Sequence, residues 1–334
     1  MIRQQQLSDW LNKVLAGAEF SLAPASADAS FRRYFRVILH DRTLIAMDAP
    51  PPQENCAPFV QASEVLAKAG LNVPHVLEQD IEQGFLLLTD LGDTTYLAAL
   101  NDGSGEYNPA DLYRDACTAL VKMQLASRQG VFPDYDEALL MREMQLFPDW
   151  YVAKHLGIEL DNVQRQALQN TFDLLCRNIL GQAQVYVHRD YHSRNLMVCD
   201  VNPGILDFQD AVYGAITYDL VSLLKDAYVY WEEDQVLDWA ARYWQAAKKA
   251  HLPVPADFAE FYRDFEWMGA QRHLKVLGIF ARLYHRDGKD GYLKDMPLVM
   301  AHLRKVCGRY VELVPLLRLL NELEKRQPTV GYTF

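Results

Sequence analysis

Three polar side chains near the middle of the chain have the residue types and the spacing that phosphoryl transfer needs. Asn195 follows Asp190 by five residues, and Asp207 follows Asn195 by twelve. An amide oxygen and a carboxylate are hard oxygen ligands, which suit a Mg²⁺ ion that holds the phosphates of a nucleotide. The carboxylate of Asp190 can then accept the proton of an attacking hydroxyl. The pattern predicts a metal pair, Asn195 and Asp207, with Asp190 as the catalytic group.

Short apolar runs predict the strands that position these residues. Three segments have the length and composition of a strand: residues 184–187, 196–199 and 204–207. The residues between the last two strands include Asn202-Pro203-Gly204, which is strong turn chemistry. A tight antiparallel hairpin there would bring Asn195 and Asp207 together at its open end.

The remaining pattern divides the chain into a mixed first part and a mainly helical remainder. Further strands are predicted at residues 35–39, 44–47 and 85–89. Helices are predicted at residues 1–15, 58–69, 109–123, 162–180 and 264–286. Asp90 to Asp93 break the pattern and predict a hinge. The sequence thus predicts an α+β protein with an N-terminal lobe, residues 1–92, and a larger helical lobe, residues 93–334.

Composition excludes several classes of protein. Among 334 residues, 44 are acidic and 33 basic, a net charge of −11, which argues against a protein that coats nucleic acid. No apolar run approaches the roughly 18 residues of a membrane helix, and the first residues lack the apolar core of a signal peptide. The five cysteines are scattered, as expected for reduced thiols. We therefore expect a soluble cytoplasmic protein with no nucleic-acid or membrane partner.

The same polar residues carry a resemblance to known kinases. His188-Arg189-Asp190, with Asn195 after it, matches the H-R-D-x-x-x-x-N catalytic loop. Asp207-Phe208 resembles the metal-binding D-F-G, although Gln209 replaces the glycine. With Tyr218-Asp219 ahead of an apolar helix, the chain resembles the aminoglycoside phosphotransferase/choline kinase family, the small-molecule branch of the kinase fold. The resemblance extends from about residue 26 to beyond residue 225.

This resemblance implies a two-lobed, protein-kinase-like α+β fold that uses ATP and Mg²⁺. It implies that Asp190 is the catalytic residue and that Asn195 and Asp207 bind the metal ion. It also implies structural roles for His188 and Asp219, which brace the catalytic loop from inside.

Within the family, the segments around residues 30–52 and 187–226 are most similar to bacterial sugar kinases. Those enzymes phosphorylate N-acetylmuramate and N-acetylglucosamine at the anomeric hydroxyl and serve peptidoglycan recycling. The resemblance implies the same amino-sugar substrates here. It also implies a downstream nucleotidyltransferase that uses the sugar 1-phosphate, without a stable complex between the two enzymes.

The nucleotide-binding residues depart from the usual kinase pattern. No Gly-rich loop precedes the first hairpin strand, where Ser30, Arg32 and Arg33 stand instead. Met47 occupies the third-strand position at which kinases carry a phosphate-binding Lys or Arg. We expect the backbone near Ser30 and the charge of Arg32 or Arg33 to bind phosphate. Backbone groups of the hinge are also expected to contact the nucleotide, at Thr89, Asp90 and Leu91.

Substrate contacts are predicted at six further positions: His192, Arg194, Asp210, Tyr213, Trp267 and Arg272. His192 and Arg194 lie inside the catalytic loop, and Asp210 and Tyr213 follow Asp207 closely. Trp267 and Arg272 belong to an aromatic and cationic helix. For that helix, a core position with a solvated stripe is the favoured interpretation, and sugar binding is the alternative.

Three other interpretations stay open at this point. The substrate of a kinase of this family can instead be an aminoglycoside or an amino alcohol such as choline. Met47 raises the possibility of a non-catalytic nucleotide-binding homologue. His188, Asp190 and His192 also spell H-x-D-x-H, a pattern typical of transition-metal ligands, but no second histidine or cysteine cluster supports such a site.

Overall fold

The computed structural model describes residues 2–27 and 31–325. Its strands are β1 (Ser21–Ala27), β2 (Arg33–Ile38), β3 (Thr43–Asp48), β4 (Val76–Asp80), β5 (Phe85–Thr89), β6 (Gln184–Val187), β7 (Leu196–Met197), β8 (Gly204–Ile205) and β9 (Val212–Ala215). Its α-helices are α1 (Ile2–Val14), α2 (Ala57–Lys68), α3 (Tyr96–Asn101), α4 (Pro109–Leu125), α5 (Glu137–Met144), α6 (Asn162–Gly181), α7 (Tyr218–Leu224), α8 (Glu233–Lys249), α9 (Phe258–Asp287), α10 (Met296–Arg309) and α11 (Val314–Leu323). A π-helical segment covers Phe147–His155, and two 3₁₀ helices cover Asp290–Asp295 and Val311–Leu313.

The described residues form two compact units. Unit 1 comprises those of Met1–Met123 and Arg194–Ala211, and unit 2 comprises those of Gln124–Ser193 and Val212–Phe334. The division into lobes at residues 1–92 and 93–334 stays a prediction. No helix in the described part of the chain is long and apolar enough to cross a bilayer.

Unit 1 is built on a five-stranded antiparallel sheet with the order β1-β2-β3-β5-β4. Strand β5, between β3 and β4, is apolar and almost wholly buried, and its Phe85 and Leu87 belong to the core on the helical side of the sheet. Helix α1 covers that side with Leu7 and Leu11, both fully buried. The sheet and α1 therefore share one core, which is made of apolar side chains and does not include Asn195 or Asp207.

A two-stranded hairpin, β7–β8, is attached to unit 1 by backbone pairing. Asn72 forms a parallel bridge with Gly204, and Thr95 forms an antiparallel bridge with Met197. The amide of Ile205 donates to the carbonyl of Asn72 at 2.8 Å. A side chain at Gly204 would collide with Cys199 Sγ, which a Cβ atom would approach to 2.8 Å. The absence of a side chain at this position therefore lets the hairpin close.

Unit 2 holds helices α5 to α11 and the antiparallel strand pair β6–β9, in which Val187 pairs with Val212. Its longest element is α9, which begins at the capping side chain of Asp257 and ends at Gly288 in the left-handed conformation. Helix α9 is buried over most of its length, which explains its apolar and aromatic composition.

Most predicted elements are confirmed, and the differences have local causes. The hairpin of β2 and β3, strand β5 and helices α2, α4 and α6 lie where the sequence places them. Strands β7 and β8 are shorter than predicted, with two residues each. Strand β1 was not predicted, because it contains Pro24 at a register shift. Strand β4 was missed because its exposed Leu77, Glu78 and Gln79 interrupt the apolar alternation.

Candidate active site

The loop after β6 is fixed by a buried carboxylate. Asp219, at the start of α7, accepts hydrogen bonds from the backbone amides of His188 at 2.6 Å and Arg189 at 3.0 Å. His188 is fully buried, and its Nδ1 accepts from the amide of Asp190 at 3.2 Å. The bracing roles of His188 and Asp219 stay predictions, and these bonds support them.

Asp219 lies in surroundings that disfavour its charge. Burial raises the pKa of its carboxyl group to about 6, and this rise is opposed by His188 and by the two amides that donate to it. The hydrogen bonds are therefore strongest when the group is ionised, at neutral pH and above.

Asp190 is half-buried, and 43% of its side chain is accessible. Burial of the group acts to raise its pKa, but Lys275, Arg272 and His192 outweigh that effect and hold the pKa below the usual range. Arg272 Nη2 lies 3.9 Å and His192 Nε2 4.0 Å from Asp190 Oδ1. The side chain is thus an anion at neutral pH that can accept a hydrogen bond from a hydroxyl group.

The predicted metal pair meets at the open end of the β7–β8 hairpin. Asn195 Nδ2 lies 3.4 Å from Asp207 Oδ2, and Gln209 Nε2 donates to Asp207 Oδ1 at 2.7 Å. The amide of Leu206 donates to the carbonyl of Asn195 at 2.9 Å and holds the two chain ends together. Asp207 has a positive φ of 63°, which a non-glycine residue keeps only where its surroundings enforce it.

This pair has the chemistry of a nucleotide-associated magnesium site. Magnesium in such sites takes one or two protein carboxylates and fills its other positions with phosphate oxygens and water. The carboxylate of Asp207 fits that requirement, and so does the side-chain amide of Asn195 when its oxygen, rather than its nitrogen, faces the ion. Within residues 2–27 and 31–325, no group of three or more His, Cys, Asp or Glu side chains is arranged to hold a metal ion. The H-x-D-x-H interpretation therefore gains no support.

Two of the predicted phosphate-binding residues, Arg32 and Arg33, lie at the start of β2. Ser30 lies outside the described residues. Arg32 Nε is 3.8 Å from Glu54 Oε2, and Arg33 forms an ion pair with Asp48, which is fully buried. Met47 is fully buried in β3. Phosphate binding by Ser30, Arg32 or Arg33 stays a prediction.

The predicted hinge residues follow β5 in unit 1. Thr89 exchanges two hydrogen bonds with His75, in which the Thr89 amide donates to the His75 carbonyl and the His75 amide donates to Thr89 Oγ1. The carboxylate of Asp90 accepts from Arg36 Nε at 2.7 Å and from the amide of Gly92 at 3.0 Å. The carbonyl of Leu91 accepts from Cys199 Sγ at 3.2 Å. Nucleotide binding by Thr89, Asp90 and Leu91 stays a prediction.

The predicted substrate residues fall in different surroundings. In unit 2, the ring of His192 meets Tyr228 edge-on at 5.4 Å, and Tyr213 is a half-buried residue of β9. In unit 1, Arg194 is half-buried and Asp210 is exposed. Substrate contact by these four residues stays a prediction.

Helix α9 buries its two predicted substrate residues. Trp267 is only 6% exposed and packs edge-on against Tyr310 at 5.9 Å. Arg272, also 6% exposed, donates to the carbonyl of Arg189 at 2.8 Å and to Tyr218 Oη at 3.2 Å. These contacts favour the core interpretation of the helix over the sugar-binding one.

Two carboxylates that support the loop were not singled out in the sequence. Asp226 accepts from the amide and hydroxyl of Ser193 and from the amide of Tyr228. Glu143, on α5, forms ion pairs with Arg189 and Lys275. Nothing in the local pattern of α5 distinguishes Glu143, because its partners lie far away in the chain.

Comparison with known proteins settles the family. The sequence pattern of the phosphotransferase enzyme family matches residues 21–261. The chain belongs to this phosphotransferase family. The kinase-family resemblance expected from the sequence is thereby confirmed, and the protein is a phosphotransferase.

Full-length relatives agree with this assignment. The protein is 51% identical to an N-acetylmuramate/N-acetylglucosamine kinase of Neisseria meningitidis, with 100% of both chains covered. It is 49% identical to a protein of the same name from Pseudomonas aeruginosa, with 96% of this chain and 97% of the relative covered.

Solved structures of other phosphotransferases show the same fold. A choline/ethanolamine kinase family protein from Mesorhizobium loti matches with a TM-score of 0.64 and 16% identity, over 96% of this chain and all of the other. An ADP-bound aminoglycoside phosphotransferase matches with a TM-score of 0.58 and 14% identity, over 90% and 98% of the two chains. The predicted kinase-like α+β fold is confirmed.

Proposed function

We propose that this phosphotransferase transfers the terminal phosphoryl group of ATP to the anomeric (C1) hydroxyl of N-acetylmuramate and N-acetylglucosamine. The observation that carries the proposal is the near-50% identity, over the whole chain, to relatives that are named for these two sugars. The paired Asn195 and Asp207 and the ionised Asp190 support a kinase with working catalytic groups over a non-catalytic homologue.

Asp190 orients the acceptor hydroxyl in this proposal and takes its proton. An anomeric hydroxyl is more acidic than a simple alcohol, so the demand on Asp190 as a base is modest. Asn195 and Asp207 would hold Mg²⁺, which would supply charge neutralisation for the transferred phosphoryl group. The work of the protein is to place the hydroxyl and the phosphates in line.

ATP would be held by groups of unit 1. The backbone at Thr89, Asp90 and Leu91 contacts the base in this proposal, and Arg32 or Arg33 neutralises the phosphates. Glu54 and Asp48 hold these two guanidinium groups near the start of β2.

The product would be a sugar 1-phosphate, which suits consumption by a nucleotidyltransferase in peptidoglycan recycling. A cytoplasmic location and the absence of a stable complex with that enzyme stay predictions from the sequence.

The first test is the release of ADP from Mg²⁺-ATP with a panel of five acceptors: N-acetylmuramate, N-acetylglucosamine, glucose, choline and kanamycin. We expect turnover with the two N-acetyl sugars and a phosphorus NMR signal coupled to the anomeric proton. Turnover with choline or kanamycin alone would replace the proposed substrate and keep the reaction type. Nucleotide binding without turnover on any acceptor would support a non-catalytic homologue.

The Asp190→Asn variant tests the role of the carboxylate in the same assay. The amide cannot accept a proton and has lost the negative charge, so we expect turnover to fall by about 10²–10⁴-fold. The melting temperature and the KM for ATP serve as controls for folding and nucleotide binding. Near-normal turnover would remove Asp190 from the mechanism.

A further inference from the structure

Two buried cations of α9 lie beneath the catalytic loop and have no part in the proposed chemistry. Arg272 and Lys275 are three residues apart, one turn of the helix, so their side chains leave on the same face. They are 6% and 5% exposed. Burying a cation costs free energy unless the cation forms ion pairs or hydrogen bonds. The groups that these two side chains contact therefore indicate their role.

Arg272 holds both the backbone and the carboxylate of the catalytic loop. Its Nη1 donates to the carbonyl of Arg189 at 2.8 Å and to Tyr218 Oη at 3.2 Å, and its Nη2 lies 3.9 Å from Asp190 Oδ1. One planar guanidinium therefore fixes the peptide before Asp190 and faces the Asp190 side chain.

The peptide that Arg272 holds is conformationally strained. Arg189 has a φ of 75°, in the left-handed region that a residue with a side chain rarely adopts. Its amide donates to Asp219, its carbonyl accepts from Arg272, and its side chain pairs with Glu143. Such a conformation persists only where several contacts enforce it, and Arg272 supplies the contact at the carbonyl.

Lys275 belongs to an ion cluster around Glu143. Its Nζ lies 2.9 Å from Glu143 Oε1 and donates to Tyr218 Oη at 2.9 Å. Glu143 is 5% exposed and also binds the guanidinium of Arg189 and the hydroxyl of Tyr135. Glu143 therefore has two cationic partners, Arg189 and Lys275, for its single negative charge.

The charges around Asp190 come from four elements. Arg189 and His192 belong to its own loop, Arg272 and Lys275 to α9, Glu143 to α5, and Asp219, with Tyr218, to α7. Asp190 is the most accessible carboxylate of this set, so the cations of α9 act on a group that an acceptor can reach.

We propose that Arg272 and Lys275 are positioning residues, which hold the Asp190 side chain as an oriented anion over the acidic part of the working pH range. Arg272 sets the orientation through the Arg189 peptide, and Lys275 supplies charge from a fixed position. This inference rests on the proposed role of Asp190 in the kinase reaction.

The chain offers a matched control for Lys275. Lys225 is also a buried lysine, and its Nζ lies 3.4 Å from Glu266, which additionally binds Arg309 and Tyr310. Lys275 pairs in the same way with a glutamate that keeps an arginine and a tyrosine. Lys275→Met and Lys225→Met therefore each leave behind a glutamate that keeps an arginine and a tyrosine, but only Lys275 is among the cations that lower the pKa of Asp190.

The test compares the pH dependence of kcat in the wild type and the two lysine variants. We expect the acid limb in Lys275→Met to move upward by about one to three pH units, because a facing charge lowers a carboxyl pKa by that amount. Lys225→Met should keep the acid limb of the wild type. Coinciding acid limbs in Lys275→Met and Lys225→Met would overturn the proposal.

Arg272→Met tests the orienting role. Misplacement of a reacting group by about 1 Å costs roughly 10²-fold, so we expect kcat to fall by about 10–100-fold with an unchanged KM for ATP. Arg272→Lys should restore the acid limb without restoring kcat. The ammonium group of lysine keeps the positive charge, but it lacks the planar, forked arrangement of N–H donors of the guanidinium group. An equal rise in the KM for ATP would indicate a structural role only.

Two measures keep the test decisive. If Lys275→Met fails to fold, Lys275→Gln keeps a donor for Glu143 and Tyr218 and removes the charge. The titration of the Asp190 carboxyl carbon by NMR needs no substrate and should shift upward in the Lys275 variant alone. A wild type that uses none of the sugars would contradict the proposed function, while this titration would still decide whether Lys275 acts on Asp190.

Discussion

At the scale of single residues, the site depends on side chains that hold backbone in unfavourable conformations. Arg189 and Asp207 both have positive φ values, and each lies next to or within the predicted machinery. The first is held by Asp219, and the second lies at the open end of a hairpin closed by a bond to Asn195. Strain at these positions is consistent with selection for geometry over stability.

Asp207→Ala tests the metal pair at this scale. Loss of the carboxylate removes the anionic ligand, so we expect Mg²⁺-dependent turnover to fall by about 10²–10³-fold while the fold is kept. Asp200→Ala, an exposed change in the turn of the same hairpin, is the control and should retain wild-type turnover. The measurement is ADP release over a range of Mg²⁺ concentrations, with circular dichroism of both variants. Turnover by Asp207→Ala equal to that of the control would exclude Asp207 as a ligand.

The approach of Asn195 to Asp207 could be predicted from sequence because both belong to one local hairpin, while the catalytic and metal-binding roles stay predictions. Asp190, Asn195 and Asp207 lie within eighteen residues of one another, and motif spacing carries that information. Glu143 was missed because it meets Arg189 only through tertiary packing. For Trp267 the sequence favoured a core position and kept a sugar contact as the alternative, and its burial agrees with the core position.

At the scale of elements, α9 organises unit 2, because it packs against α10, α7 and the π-helical segment and carries the buried cations. The approach to the π-helical segment is unusually close at Gly278. A Cβ atom there would lie 2.4 Å from the backbone carbon of Leu146. The sequence predicted a helix here. It did not predict that position 278 must be a glycine, because that requirement comes from the tertiary contact with Leu146.

Gly278→Ala should therefore destabilise the protein in spite of the better helix propensity of alanine. Overpacking against backbone costs typically about 1–3 kcal/mol of the free energy of unfolding. Gly269→Ala, on the same helix, would place its Cβ atom 3.7 Å from its nearest neighbours, so we expect unchanged or up to about 1 kcal/mol higher stability. Urea unfolding of the two variants measures the difference. Equal free energies of unfolding for the two variants would show that the backbone at Leu146 can shift to accommodate the added methyl group at little cost.

At the scale of the whole molecule, stability should depend on two histidines stacked between α9 and α10. The rings of His273 and His302 are 5.3 Å apart. Burial lowers the pKa of His302 to about 4, and burial together with His302 and Lys225 lowers the pKa of His273 well below its usual value. The unfolded chain binds protons at these sites near pH 6.5, and the folded chain does not. The free energy of unfolding is therefore fully retained above pH 6.5, and it decreases as the pH falls toward the pKa values of the two histidines in the folded protein.

His302→Phe should reduce the loss of stability on acidification. The phenyl ring keeps the stack on His273, and His302 Nε2 has no hydrogen-bond partner among the residues that the structure describes. Between pH 6.5 and 4 we expect the wild type to lose up to about 1.4 kcal/mol per pH unit more than the variant. His40→Phe, a change at an exposed position, should follow the wild type. Urea unfolding at pH 7 and pH 5 gives the comparison, and parallel losses in all three proteins would contradict it.

The path of the chain also sets the order in which the site is made. During synthesis, the five strands of the large sheet and α1 emerge first, and residues 124–193 of unit 2 follow before Arg194 returns the chain to unit 1. At about 5–20 residues per second, the ribosome needs roughly 4–14 s for that interval. During this time the sheet and α1 have only their own apolar core to stabilise them. A metal ion held by Asn195 and Asp207, as proposed, would contribute to the stability of unit 1 only after its last segment has left the ribosome.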